Sequence, residues 1–158
     1  MNIKYFSLVL FYVLLDQITK FLIVNNIAYN SFIKINDYIN IVNVSNTGVA
    51  FSMFQGQNIF FIILTTVVII TIVSFIKKNK SEFTILQLHS LLLIISGGIG
   101  NLIDRLFRGA VVDFIDIGFK DVYRWPSFNV ADSCVCIGVT LFLFSMLFLN
   151  KCSKCKIM

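Results

Sequence analysis

Four stretches of this sequence, roughly residues 5–24, 59–76, 85–107 and 130–149, are continuously apolar. Each is close to the ~20 residues that a helix needs to cross ~30 Å of hydrocarbon. Their residues do not alternate as a barrel strand would, and an open sheet edge cannot face lipid, so helices are the spanning structure expected. Composition agrees. The 158 residues are 58% hydrophobic and 13% charged, against ~45–50% and ~25% in ordinary soluble domains. So few charges cannot cover a water-facing surface, and the chain reads as a single membrane domain, 1–158. The first window resembles a signal-peptide core, but it is long, carries Asp16 and Lys20 and lacks a small-x-small cleavage site. It is read as a retained helix.

Charge placement sets the orientation. The net charge of +5 comes from lysines beside apolar runs, at Lys77, Lys78 and Lys80 and at Lys151, Lys154 and Lys156, with no basic stripe suited to nucleic acid. By the positive-inside rule both termini and the 77–82 connection are expected in the cytoplasm, and the two longer connections outside. In the first of these, Phe32–Val44 is rich in Ile, Val and Tyr and predicts a small β-rich loop on the membrane surface. In the second, Asp113–Tyr123 is expected to form a short helix lying flat at the interface. The fold class is thus all-α polytopic, with four transmembrane helices and these two surface additions. Cys152-Ser153-Lys154-Cys155 could suggest a redox or metal site but has no second Cys or His pair nearby, and these two thiols, with Cys134 and Cys136, are read as incidental.

With this topology, polar residues distant in sequence reach one membrane level. Asp16 and Lys20 are four apart and can neutralise one another. Asn101, Asp104, Arg105 and Arg108 lie at the outer end of the third helix, Asn129 and Asp132 at the start of the fourth, and Asn46, Thr47 and Gly48 in the first outer loop. Asp113 and Asp132 have no basic residue at helical spacing. Two neighbouring acids cannot both ionise cheaply, so one keeps its proton while the other is charged, a pairing suited to acid–base hydrolysis. A metal centre is not expected, since the single histidine, His89, falls near the inner end of its helix. Ser96-Gly97-Gly98-Ile99-Gly100 predicts close helix packing; a phosphate loop would need a following Lys-Ser/Thr. A small transporter with a carboxylate relay is the alternative, but it calls for acids near the midplane and often an internal repeat.

Five ordered motifs carry a resemblance: Asp16-Gln17-Ile18-Thr19-Lys20, Asn46-Thr47-Gly48-Val49-Ala50-Phe51-Ser52, Gly97 through Arg105, Val111-Val112-Asp113-Phe114 and Phe128-Asn129-Val130-Ala131-Asp132. In this order on four apolar windows, the chain resembles the bacterial lipoprotein signal peptidases, or signal peptidase II. The resemblance implies an aspartic endopeptidase of the inner membrane that cleaves diacylglyceryl-modified prolipoproteins before the lipidated cysteine. It implies a catalytic pair at Asp113 and Asp132, supported by Asp16, Asn46, Asn101, Arg105 and Asn129. Lys20, Gly48 and Asp104 fall in the same motifs and complete the candidate set. The expected partners are lipidated prolipoproteins and membrane lipids; no cofactor, metal or nucleic acid is expected, and the protein is expected to be a monomer.

Overall fold

The computed structural model describes residues 3–48, 54–79, 82–119 and 122–149. Four helices, α1 (Ile3–Asn26), α2 (Asn58–Asn79), α3 (Ile85–Phe107) and α4 (Val130–Phe144), form the body, and α4 runs on as a π-helical turn, Ser145–Leu149. All four are long and apolar enough to span a membrane, counting α4 to Leu149. Two strands follow α1, β1 (Phe32–Lys34) and β2 (Ile39–Asn46), and two follow α3, β3 (Val111–Phe119) and β4 (Tyr123–Arg124). They form one antiparallel sheet in the order β1-β2-β3-β4.

α3 is the central helix and packs against α1, α2 and α4. It begins where Thr84 makes a reciprocal capping box with Gln87, an arrangement that satisfies two otherwise orphaned backbone donors. Its glycines bring the neighbours in. A Cβ on Gly97 would stand 2.2 Å from the Ala131 carbonyl oxygen of α4, and one on Gly100 would stand 2.6 Å from Asp16 Oδ2 of α1. Small residues are needed at both contacts, as the Gly-rich run implies. By contrast α2 fully buries only Phe61 among its described residues: Ile69, Ile72, Val73 and Ile76 are half-buried against the core, and much of its remaining apolar surface is exposed. At the Lys77 end of the bundle the core is apolar, with Val9 and Val13 of α1 against Leu88, Leu92 and Ile95 of α3. Polar groups collect at the other end, beside the sheet.

Of the segment expected to lie flat as a helix, Asp113–Tyr123, residues 120 and 121 lie outside the described residues, Tyr123 opens β4, and the part to Phe119 belongs to strand β3. Its Val-Val-x-Phe-Ile-x-Ile run suits a pleated surface, and β2 supplies an edge on which its backbone groups are satisfied. Acids three apart, Asp113 and Asp116, mimic a helical face in one dimension; in the strand they point to opposite faces of the sheet. The turn into β3 uses Gly109 at φ +77°, just past the C-cap Arg108, a conformation that a side chain would strain.

The β2–β3 ladder is not uniform. Ile41 pairs with Ile115, but the next pair is Val44 with Asp113, so two residues of β2, Val42 and Asn43, oppose Phe114 alone. This is a β-bulge.

Candidate active site

Asn129 is fully buried and organises the polar end. An isolated bridge between Ile115 and Phe128 ties the chain before α4 to β3, so that Asn129 caps α4 directly beside Asp113. Its side-chain oxygen accepts from the Asp132 backbone N–H at 2.9 Å, and its own backbone N–H donates to Asp132 Oδ2 at 3.2 Å. The Asn129 amide nitrogen donates to Asp113 Oδ1 at 2.8 Å. One asparagine therefore holds both acids. Asn101 of α3 donates to Asp132 Oδ1 at 2.7 Å, and Asn46 of β2 donates to Asp113 Oδ2 at 3.1 Å.

Beneath the two acids lies a charged layer. Lys20, with no exposed surface, bridges Asp16 Oδ2 at 2.9 Å and Asp104 Oδ2 at 2.8 Å, and donates to Asn101 Oδ1 at 3.0 Å. Asp16 accepts from the Ala131 backbone N–H at 2.9 Å, fastening α1 to the first turn of α4. Asp104 accepts from the Val112 N–H at 3.1 Å and pairs with Arg108. Burying charges this deeply is tolerable because each carboxylate keeps several donors. Arg105 turns away from Asp104: its guanidinium donates to the Gly48 carbonyl at 3.1 Å and stacks over Phe61, 5.3 Å from the ring centre. Gly48 in turn donates its N–H to Asn46 Oδ1 at 2.9 Å.

Asp113, Asp132, Asp16, Lys20, Asn46, Gly48, Asn101, Asp104, Arg105 and Asn129 thus belong to one continuous hydrogen-bonded network. His89 is exposed in the N-terminal half of α3, away from it. Sequence reasoning passed over Gln17, whose amide donates to Asp16, to Asp104 and to the Gly100 carbonyl; an amide inside an apolar window, next to an acid, was the available signal. It also gave no site role to Trp125, Pro126 and Ser127, which wall the cavity described next.

The two acids open onto a cavity of about 540 Å3, with Asn46, Gly48, Asn101 and Arg105 on its polar side and Val111, Phe128 and Ile137 among its apolar walls. A second space of about 520 Å3 reaches Asp113 from the sheet side, past Tyr123 and Arg124. Burial and the neighbouring Asp132 carboxylate hold Asp113 well above the ordinary carboxylate range, at about 7, against the opposing pull of Asn46, Asn129 and Lys20. Such a group exchanges a proton near neutral pH, which is what acid–base chemistry requires.

These features define a class: a four-span helical membrane protein with two hydrogen-bonded acids at one end of the bundle, open to a largely apolar cavity. Within that class, the chain belongs to the signal peptidase II family, whose model, described as Signal peptidase (SPase) II, matches residues 8–148. It is 41% identical to the lipoprotein signal peptidase of Thermodesulfovibrio yellowstonii over 85% of this chain and 88% of that one. Against the lipoprotein signal peptidase of Borrelia garinii subsp. bavariensis it is 40% identical over 94% of each. A solved structure described as a bacterial membrane enzyme superposes with a TM-score of 0.84 at 32% identity, covering 93% of this chain and 89% of the other.

Proposed function

We propose that this protein is an aspartic endopeptidase that removes signal peptides from diacylglyceryl-modified prolipoproteins, cutting before the lipidated cysteine. The observation that carries the proposal is the pair of acids, Asp113 and Asp132, held by the single residue Asn129 at the wall of a largely apolar cavity. Lys77 and Lys78 stand at the opposite end of the bundle, in the last turn of α2. The positive-inside rule then puts both termini in the cytoplasm and the acids near the outer face of the inner membrane.

In this reading Asp132 is the charged partner. It sits in the first turn of α4, where the helix dipole favours negative charge, and it accepts from Asn101 and from the Asn129 backbone. Asp113, on its strand, carries the proton. Asp132 takes a proton from water as the water oxygen attacks the scissile carbonyl carbon, and Asp113 donates to the developing oxyanion. The tetrahedral intermediate collapses as the C–N bond breaks: Asp132 passes its proton to the departing amine of the cysteine, and Asp113 takes back a proton from the intermediate's hydroxyl as the C=O re-forms. The signal peptide leaves with a new carboxylate. Arg105 holds the Gly48 carbonyl and so fixes the loop beside the peptide. Acyl chains laid against Phe128 and Ile137 position the bond by binding energy remote from it. Acids in a strand and in a first helical turn suit a site at the interface and fit poorly with a relay crossing the bilayer.

The test is incubation of purified protein with a diacylglyceryl-modified prolipoprotein. Signal-peptide release is expected from the native protein, with losses of roughly 10²–10⁴-fold or more in Asp113→Asn and in Asp132→Asn. Turnover retained in either variant, at normal abundance, would remove the two-acid mechanism.

A further inference from the structure

We propose that Asn43, which hydrogen-bonds to neither acid, is a positioning residue: it holds the β2 bulge that turns Asn46 toward Asp113. The inference rests on the two-acid reading above and follows from strand parity. Side chains alternate between the faces of a sheet, so a one-residue change of register carries every later side chain to the other face. Counting from the Ile41–Ile115 pair, an unbroken ladder would set Asn43 against Asp113 and Val44 against Val112. Asn46 would then share the face of Asp116. The extra residue instead sets Val44 against Asp113 and Asn46 against Val111. Asn46 thereby shares the Asp113 face, and its amide reaches Asp113 Oδ2 at 3.1 Å.

Asn43 ties the extra residue down on the side away from β3. Its buried side-chain amide donates to the Ile27 carbonyl at 2.7 Å, just past the end of α1. Its backbone N–H donates to the Ser31 carbonyl at 3.1 Å, and its carbonyl accepts from the Asn30 N–H at 2.9 Å. Asn30 itself adopts φ +58° to make that turn. The bulge is therefore anchored to the α1–β1 connection, and α1 also carries Asp16 and Lys20.

Register can be read independently of activity. In a background without native cysteines, the pair Ser45→Cys and Val112→Cys should cross-link on oxidation, and Val44→Cys with Val112→Cys should not. Adding Asn43→Ala should exchange the two outcomes. In the cleavage assay, Asn43→Ala should lower kcat roughly tenfold, as expected for loss of one buried hydrogen bond at the site. It should also move the Asp113 limb of the pH profile upward, because Asn46 opposes the influence of Asp132 there, together with Lys20 of α1 and Arg105 of α3. Asn46→Ala should do the same, and the double variant should be no worse than Asn46→Ala alone. The milder Asn43→Ser, which keeps a donor, should give a smaller change of the same kind if the alanine variant folds poorly. Unchanged cross-linking in Asn43→Ala, or losses that add to those of Asn46→Ala, would overturn the proposal. Failure of the two-acid reading would appear separately, as turnover by Asp113→Asn with the cross-linking pattern intact.

Discussion

Replacing Asp113 by asparagine should make the protein inactive and, above neutral pH, more stable. The folded protein holds this carboxyl at about 7, against an ordinary value of 3.8. The cause is burial beside Asp132, which disfavours the charged form. Between those two values the folded state binds more protons than the unfolded state, so stability falls as pH rises through the window and levels off above it. The contribution is fully present below about pH 4 and lost above about pH 7. A difference of about three units at 1.36 kcal/mol each corresponds to roughly 4 kcal/mol. Asparagine keeps the shape, cannot ionise and has no such slope. Thermal unfolding in one detergent, at pH 5 and pH 8, should give a variant-minus-native difference in Tm that grows in the variant's favour at the higher pH. The Asn46 and Asn129 amides can turn to meet the new side chain, so lost hydrogen bonds should offset only part of the gain. A difference that is independent of pH, or that shrinks toward pH 8, would refute the argument that Asp113 is held protonated by its surroundings.

Lys20→Met should destabilise by roughly 3–5 kcal/mol, because it strands two buried carboxylates, Asp16 and Asp104, that share this ammonium; loss of abundance and a lower Tm are the readouts. Gly97→Val should cost about 1–3 kcal/mol or more, since its Cβ meets the Ala131 backbone oxygen at 2.2 Å, while Gly98→Ala, facing the flexible end of Ile69 at 3.3 Å, should be close to neutral. Matched prolipoprotein substrates with and without the diacylglyceryl group, compared in one detergent, should differ strongly in rate. Each buried CH2 contributes roughly 0.8 kcal/mol in the transfer limit, and equal rates would mean that the acyl chains are not read.

The sequence by itself determined that this is a four-span helical membrane protein with its polar residues at one end. Hydropathy is a property of consecutive residues, and every position of a helix follows from its neighbours by local rules. Asp16 with Lys20 was legible for the same reason: four residues apart is one helical turn. What sequence pattern could not supply was pairing across the chain. Asp113–Tyr123 reads as a flat helix until β2 offers the part in β3 an edge. Arg105 and Arg108 look equivalent as partners for Asp104, yet only Arg108 pairs with it, because Arg105 is drawn to Gly48 and Phe61 on the far side of α3. Asn129 reads as a polar residue at the start of the fourth helix, and only the bridge from Phe128 to Ile115 brings its amide to Asp113. The reach of Asn46 depends on one uncounted residue between two strands some seventy positions apart. Register is decided by which backbone groups find partners in three dimensions, and no run of neighbouring residues carries that information.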